Sequence, residues 1–114
     1  MSLITIIHHS GCSKSRCTLE LIESKGINPR IVNYLKGELT EDILKTAISA
    51  LKKRPKEVLR VKDIEALNLN VNPENDDEVI AFILKYPQVL ERPIVIKNNE
   101  AVIGRPPENV LTLL

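Results

Sequence analysis

The chain has 114 residues, of which 43% are hydrophobic and 27% charged, and its formal net charge is +1. That length suits one core and one domain, 1–114, while the even charge balance gives no basic face for nucleic acid and no apolar run is long enough to span a bilayer. With one phenylalanine, two tyrosines and no tryptophan, stacking on bases or sugars is disfavoured as well.

Residues 3–7, LITII, are a short apolar run rich in β-branched side chains and read as a buried strand. HHSGCSKSRC follows at 8–17. Residues 15–25 then read as a helix, with Leu19, Ile22 and Leu21 on an apolar stripe and Gly26 as its stop. Ile31, Val32 and Tyr34 make a second strand after Pro29. A strand–helix–strand order favours a parallel pair with a right-handed crossover.

Thr40 with Glu41 and Asp42 opens a helix that runs through ILKTAISALKK. Pro55 starts a short helix, PKEVLRV, and Asp63 to Leu67 forms one more turn. Asn75 or Asp76 caps DDEVIAFILKYP, where Val79, Ile80, Phe82, Ile83 and Tyr86 recur at helical spacing until Pro87. PIVIK and AVIG are two strands joined by a polar hairpin tip, and PENVLTLL is a final helix.

The order is β-α-β, a helical insertion at residues 38–87, then β-β-α. A βαβ unit plus a ββα unit building one mixed four-stranded sheet is the α/β architecture called thioredoxin-like. Its reactive cysteine sits where the first strand hands over to the first helix, which is the position of Cys12.

A thiol at a helix start faces unpaired backbone N–H groups and the positive end of the helix dipole. Both favour the thiolate, and Lys14, Arg16 and a protonated His8 would add to them. Such settings lower a cysteine pKa from about 8.5 to roughly 3.5–7.5. The same N–H groups attract an oxyanion. Composition alone favours an inert buried thiol; the strand-to-helix position and small-polar, basic neighbours reverse that. His8 is open between tuning Cys12 and a structural role, and His9 is expected on the surface. Cys17 lies about 140° around the helix from Cys12, too far for an easy disulfide, and is expected to pack against the core, with a resolving role left open. Two cysteines and two adjacent histidines lack the usual spacing of a zinc site, so no metal is expected.

The string HHSGCSKSRCTLEL, followed by ERPIVI and IGRPPENVL, resembles the glutaredoxin-coupled arsenate reductase family, the ArsC type, over nearly the whole chain. The resemblance implies a single catalytic cysteine, Cys12, that attacks arsenate, and three arginines that hold the oxyanion: Arg60, Arg92 and Arg105. It implies supporting roles for His8, which helps ionise the thiol, for Ser15 and Arg16, and for Pro93, which is usually cis and faces the cysteine. It further implies glutathione as co-substrate, glutaredoxin as partner, and no bound cofactor. The first residues do not read as a signal peptide, so a cytoplasmic location is expected.

Two other readings compete. A monothiol redox enzyme with a different substrate would use the same nucleophile; Ser15 stands where C-x-x-C chemistry would place its second cysteine. An Spx-type transcription regulator shares the fold but usually carries C-x-x-C, and the retained arginines favour an oxyanion site.

Overall fold

Alternation along the first strand sets the layering. A computed structural model describes residues 3–114; the first two residues of the expected 1–114 domain lie outside it. Strand β1 (Ile4–His8) turns Ile4 and Ile6 to one side, where they meet Ile22, Val95, Val110 and Leu113. Ile7 turns to the other side and meets Leu44, Ile48, Val79, Ile83 and Ile94. Side chains two apart share a face in a strand, so one five-residue strand seeds both halves of the core.

Helix α1 (Ser13–Ser24) follows, then strand β2 (Arg30–Asn33), which pairs in parallel with β1. Strands β3 (Ile94–Lys97) and β4 (Glu100–Ile103) complete an antiparallel hairpin, with β3 also antiparallel to β1. The sheet order is β2-β1-β3-β4. This is the mixed four-stranded sheet of a thioredoxin-like fold, as the element order predicts.

Between β2 and β3 come α2 (Glu41–Leu51), α3 (Val61–Ala66) and α4 (Asp76–Lys85). Thr40 Oγ1 accepts from the Ile43 amide, and Asn75 Oδ1 accepts from the Glu78 amide. Both caps satisfy N–H groups that a helix start leaves unpaired. Leu44, Ala47 and Ile48 of α2 and Val79, Ile80 and Ile83 of α4 are buried. These helices cover the Ile7 face of the sheet. Exposed ion pairs from Arg54 to Glu74 and Asp76, and from Lys56 to Glu74, tie the Pro55 turn to the start of α4.

Four expectations need correction. Helix α1 starts at Ser13 rather than at residue 15, which makes Cys12 its N-cap. Its apolar stripe forms, with Leu19 and Leu21 packed beside Ile22, and the fully buried positions also include Ser15 and Thr18; Thr18 satisfies its hydroxyl on the Lys14 carbonyl, so a polar residue is tolerated there. The segment Pro55–Val58 is a 3-10 turn that breaks at Leu59, and the last helix, Pro107–Thr112, is also 3-10. The second strand ends at Asn33, and Tyr34 opens a 3-10 turn, Tyr34–Lys36.

Gly104 is where these parts close on one another. Its amide donates to the Pro93 carbonyl at 2.9 Å. A Cβ there would come within 2.6 Å of Thr18 Oγ1 and 2.8 Å of Pro93 Cγ. Gly104→Ala is therefore expected to destabilise the protein by about 1–3 kcal/mol, as overpacking does. Urea unfolding reads this directly, and an unchanged midpoint would mean that the contact relaxes freely.

Candidate active site

Cys12 caps α1 with extended backbone, φ −97° and ψ 121°. Its amide donates to the His9 carbonyl at 3.0 Å, and its own carbonyl accepts from the Arg16 amide at 3.0 Å. The side chain is half-buried and the thiol is free. Burial pushes the thiol up and is the largest single influence on it. The Ser15 amide, the Arg92 side chain, the Lys14 amide and the charge of Arg105 all act the other way, and together they prevail, so Cys12 ionises below its ordinary value. The helix start does to this thiol what its N–H groups are placed to do.

Three arginines gather around that helix mouth, and each arrives by a different route. Arg92 immediately precedes β3, joined to the buried Pro93 by a cis peptide bond. Its Nη1 donates to the Gln88 carbonyl at 3.1 Å. Arg105 follows Gly104 at the end of β4. Its Nε donates to the Arg92 carbonyl at 2.7 Å, and its Nη2 stands 3.7 Å from Cys12 Sγ.

Arg60 caps α3 and comes from the insertion. Two backbone bonds bring it in: Arg60 N–H to the Val89 carbonyl at 2.6 Å and Glu91 N–H to the Val58 carbonyl at 2.8 Å. They stitch residues 58–60 to 89–91, which sets Arg60 close to Arg92. The three arginine side chains are only 24% (Arg60), 15% (Arg92) and 27% (Arg105) exposed. Solvated surface arginines would not be so enclosed.

Two carboxylates that the sequence reading left unassigned hold this cluster. Asp63 Oδ2 lies 2.6 Å from Arg60 Nε and 3.9 Å from Arg92 Nη1. Glu91 Oε2 lies 3.6 Å from Arg105 Nε. A clue was present at Arg60 and Asp63, an i,i+3 pair at a helix start. Nothing local marks Glu91.

Burial disfavours a charged His8 beside the thiol. His8 is 6% exposed, and burial, then the charges of His9 and Arg16, lower its pKa. Its Nδ1 sits 2.6 Å from the Oγ of buried Ser15, which also accepts from the His9 amide at 3.1 Å. His8 and Ser15 together pin the loop between β1 and α1. Arg16 is exposed, and its Nη1 donates to the Ser10 carbonyl at 2.8 Å, bracing the same loop from outside.

His9 is not a free surface residue. Its ring meets Tyr34 edge-on at 5.9 Å and accepts from the Gly11 amide at 3.3 Å. Burial and the charges of Arg92, Arg16 and Arg60 lower its pKa. Cys17, expected in the core, is exposed. The buried face of α1 runs through positions 15, 18 and 22, and at 3.6 residues per turn position 17 lies off it. Among the described residues no group of three or more His, Cys, Asp and Glu is arranged to hold a metal ion, and no helix is long and apolar enough to cross a membrane.

The thioredoxin-like sheet thus sets one thiol at the first helix mouth, beside clustered guanidiniums. The chain belongs to the ArsC family, whose sequence pattern matches residues 7–113. It is 35% identical to the uncharacterized protein YfgD of Escherichia coli K12, over 97% of this chain and 96% of that one. It is 40% identical to an arsenate reductase of Haemophilus influenzae, with both chains covered in full. An arsenate reductase structure from Vibrio cholerae superposes with a TM-score of 0.87 at 37% identity, covering 99% of this chain and 98% of that one.

Two measurements check this geometry. The alkylation rate of Cys12 against pH is expected to give an apparent pKa below the free value of about 8.5, and Arg105→Ala to raise it; an unmoved profile would detach that arginine from the thiolate. The depressed His8 pKa means that the unfolded chain takes up a proton before the folded one. Its stabilising contribution is therefore present above about pH 6.5 and declines as pH falls below that value. His8→Gln should flatten that part of a stability–pH curve relative to the parent, whereas parallel curves would show that His8 titrates alike in both states.

Proposed function

We propose that this protein reduces arsenate to arsenite, with Cys12 as nucleophile and Arg60, Arg92 and Arg105 as the oxyanion clamp. The observation that carries the reading is the approach of Arg105 Nη2 to within 3.7 Å of Cys12 Sγ, beside the Arg92 and Arg60 side chains. Attack by a thiolate on an arsenate dianion is opposed by like charge. Guanidinium forks neutralise that charge, fix the oxygens and stabilise charge that develops during attack. The names of the Haemophilus and Vibrio relatives support the same substrate.

In the reaction, the Cys12 thiolate forms a sulfur–arsenic bond, and one arsenate oxygen leaves as water after protonation. Arsenic is still pentavalent in this adduct. Glutathione then adds its sulfur to arsenic with loss of a second water. A glutaredoxin thiol attacks the glutathione sulfur, which leaves as a mixed disulfide. The electron pair of the broken sulfur–arsenic bond stays on arsenic and makes it trivalent. Water releases arsenite and restores the Cys12 thiol. External thiols supply both electrons, so no resident cofactor is required, and the reducing cytoplasm is the compartment that suits such chemistry. His8, Ser15 and Arg16 hold the loop that presents the thiol, and Pro93 fixes the Arg92 end of β3.

The test couples the protein to glutathione, glutaredoxin, glutathione reductase and NADPH, with and without arsenate. Arsenate-dependent NADPH loss is expected, absent in Cys12→Ser and reduced about 10²–10³-fold in Arg92→Ala. No turnover by a folded protein whose Cys12 still alkylates rapidly would favour a monothiol enzyme with another substrate. Turnover without glutaredoxin would leave arsenate as substrate and change the electron donor.

A further inference from the structure

Among the described residues, two buried side-chain polar atoms have no hydrogen-bond partner: the Tyr34 hydroxyl and Arg92 Nε. Buried polar groups are nearly always paired, so orphans need a reason. Both belong to the same place. Tyr34 directly follows Asn33, which pairs with His8 at the end of β1, and its ring lies beside His9, edge to face at 5.9 Å. The residue is 1% exposed. Its phenol lies among the charges of Arg92, Arg60 and Cys12, and the Arg92 guanidinium comes close enough to act on the phenol oxygen as a weak donor, short of full hydrogen-bond geometry, while the O–H itself has no acceptor.

An O–H and an N–H that both lack an acceptor describe a site that expects one. We propose that Tyr34 is a further oxyanion-binding residue, its hydroxyl and Arg92 Nε donating to the same bound tetrahedral oxyanion. This rests on the reading of the arginine cluster as an arsenate site and adds to it a neutral donor. Burial raises the phenol pKa against the opposing pull of Arg92 and Arg60, so the hydroxyl keeps its proton and can donate. A neutral donor adds affinity without adding positive charge beside the thiolate, so its role is separable from that of the arginines.

Arsenate binding to Cys12→Ser, where no adduct forms, is compared by calorimetry with binding to Cys12→Ser/Tyr34→Phe. Phenylalanine keeps the ring and removes only the hydroxyl. The dissociation constant is expected to rise roughly tenfold or more, the effect of losing a bond to a charged acceptor. Without arsenate, the double variant should melt at the same temperature or higher, because an unpaired buried hydroxyl has been removed. In the Cys12-intact protein, Tyr34→Phe should leave the pH profile of Cys12 alkylation in place. Equal affinities, or weaker binding accompanied by a lower melting temperature without arsenate, would overturn the proposal by making Tyr34 a bystander or a structural residue. If neither protein binds arsenate, the arsenate reading fails and the role of Tyr34 falls with it, a result distinct from equal and measurable affinities.

Discussion

The structure depends on keeping positive charge crowded around one sulfur. Guanidiniums repel one another, and enclosing them weakens the screening that water provides. The fold answers with acceptors behind the forks. Asp63 takes Arg60 and approaches Arg92, Glu91 approaches Arg105, and the carbonyls of Gln88 and Arg92 take further donors. These contacts orient the forks without cancelling them, and the thiol feels the remaining field.

The same constraint explains the role of the insertion. Helices α2 and α4 bury the Ile7 face of the sheet, which any helical layer of suitable volume would do. The segment between them does something more specific. The paired bonds of Arg60 with Val89 and of Glu91 with Val58 anchor a loop from the insertion to the lead-in of β3. Stability and chemistry thus share one seam, and a guanidinium far away in sequence becomes a neighbour of Arg92 through Asp63.

Much of this was legible in the residues because the fold follows from local rules. Thr40 and Asn75 announced helix starts, Pro87 announced a stop, and LITII announced a central strand. Cys12 stood out through position alone. What was not legible depended on contacts across the chain. His8 was open between tuning the thiol and a structural role; its burial against Ser15, which lowers its pKa, favours the structural one. Cys17 was expected in the core because it lies about 140° around the helix from Cys12; the buried face runs instead through Ser15, Thr18 and Ile22, with both hydroxyls satisfied nearby, and leaves Cys17 exposed. Tyr34 read as one more strand residue, because only the register of β1 against β2 brings it to His9 and the arginines.

The tether between Arg105 and Arg92 runs to a backbone carbonyl, not to a side chain. Any residue at position 92 offers that carbonyl. The cation that neighbours the sulfur is therefore insulated from the identity of the side chain that faces the anion. Substitution at 92 removes one of the side chains that lower the Cys12 pKa, yet it leaves Arg105 tethered beside the sulfur. A scaffold wired in this way keeps one cation beside its nucleophile whatever side chain faces the anion, so a change at that position weakens the support of the thiolate without abolishing it.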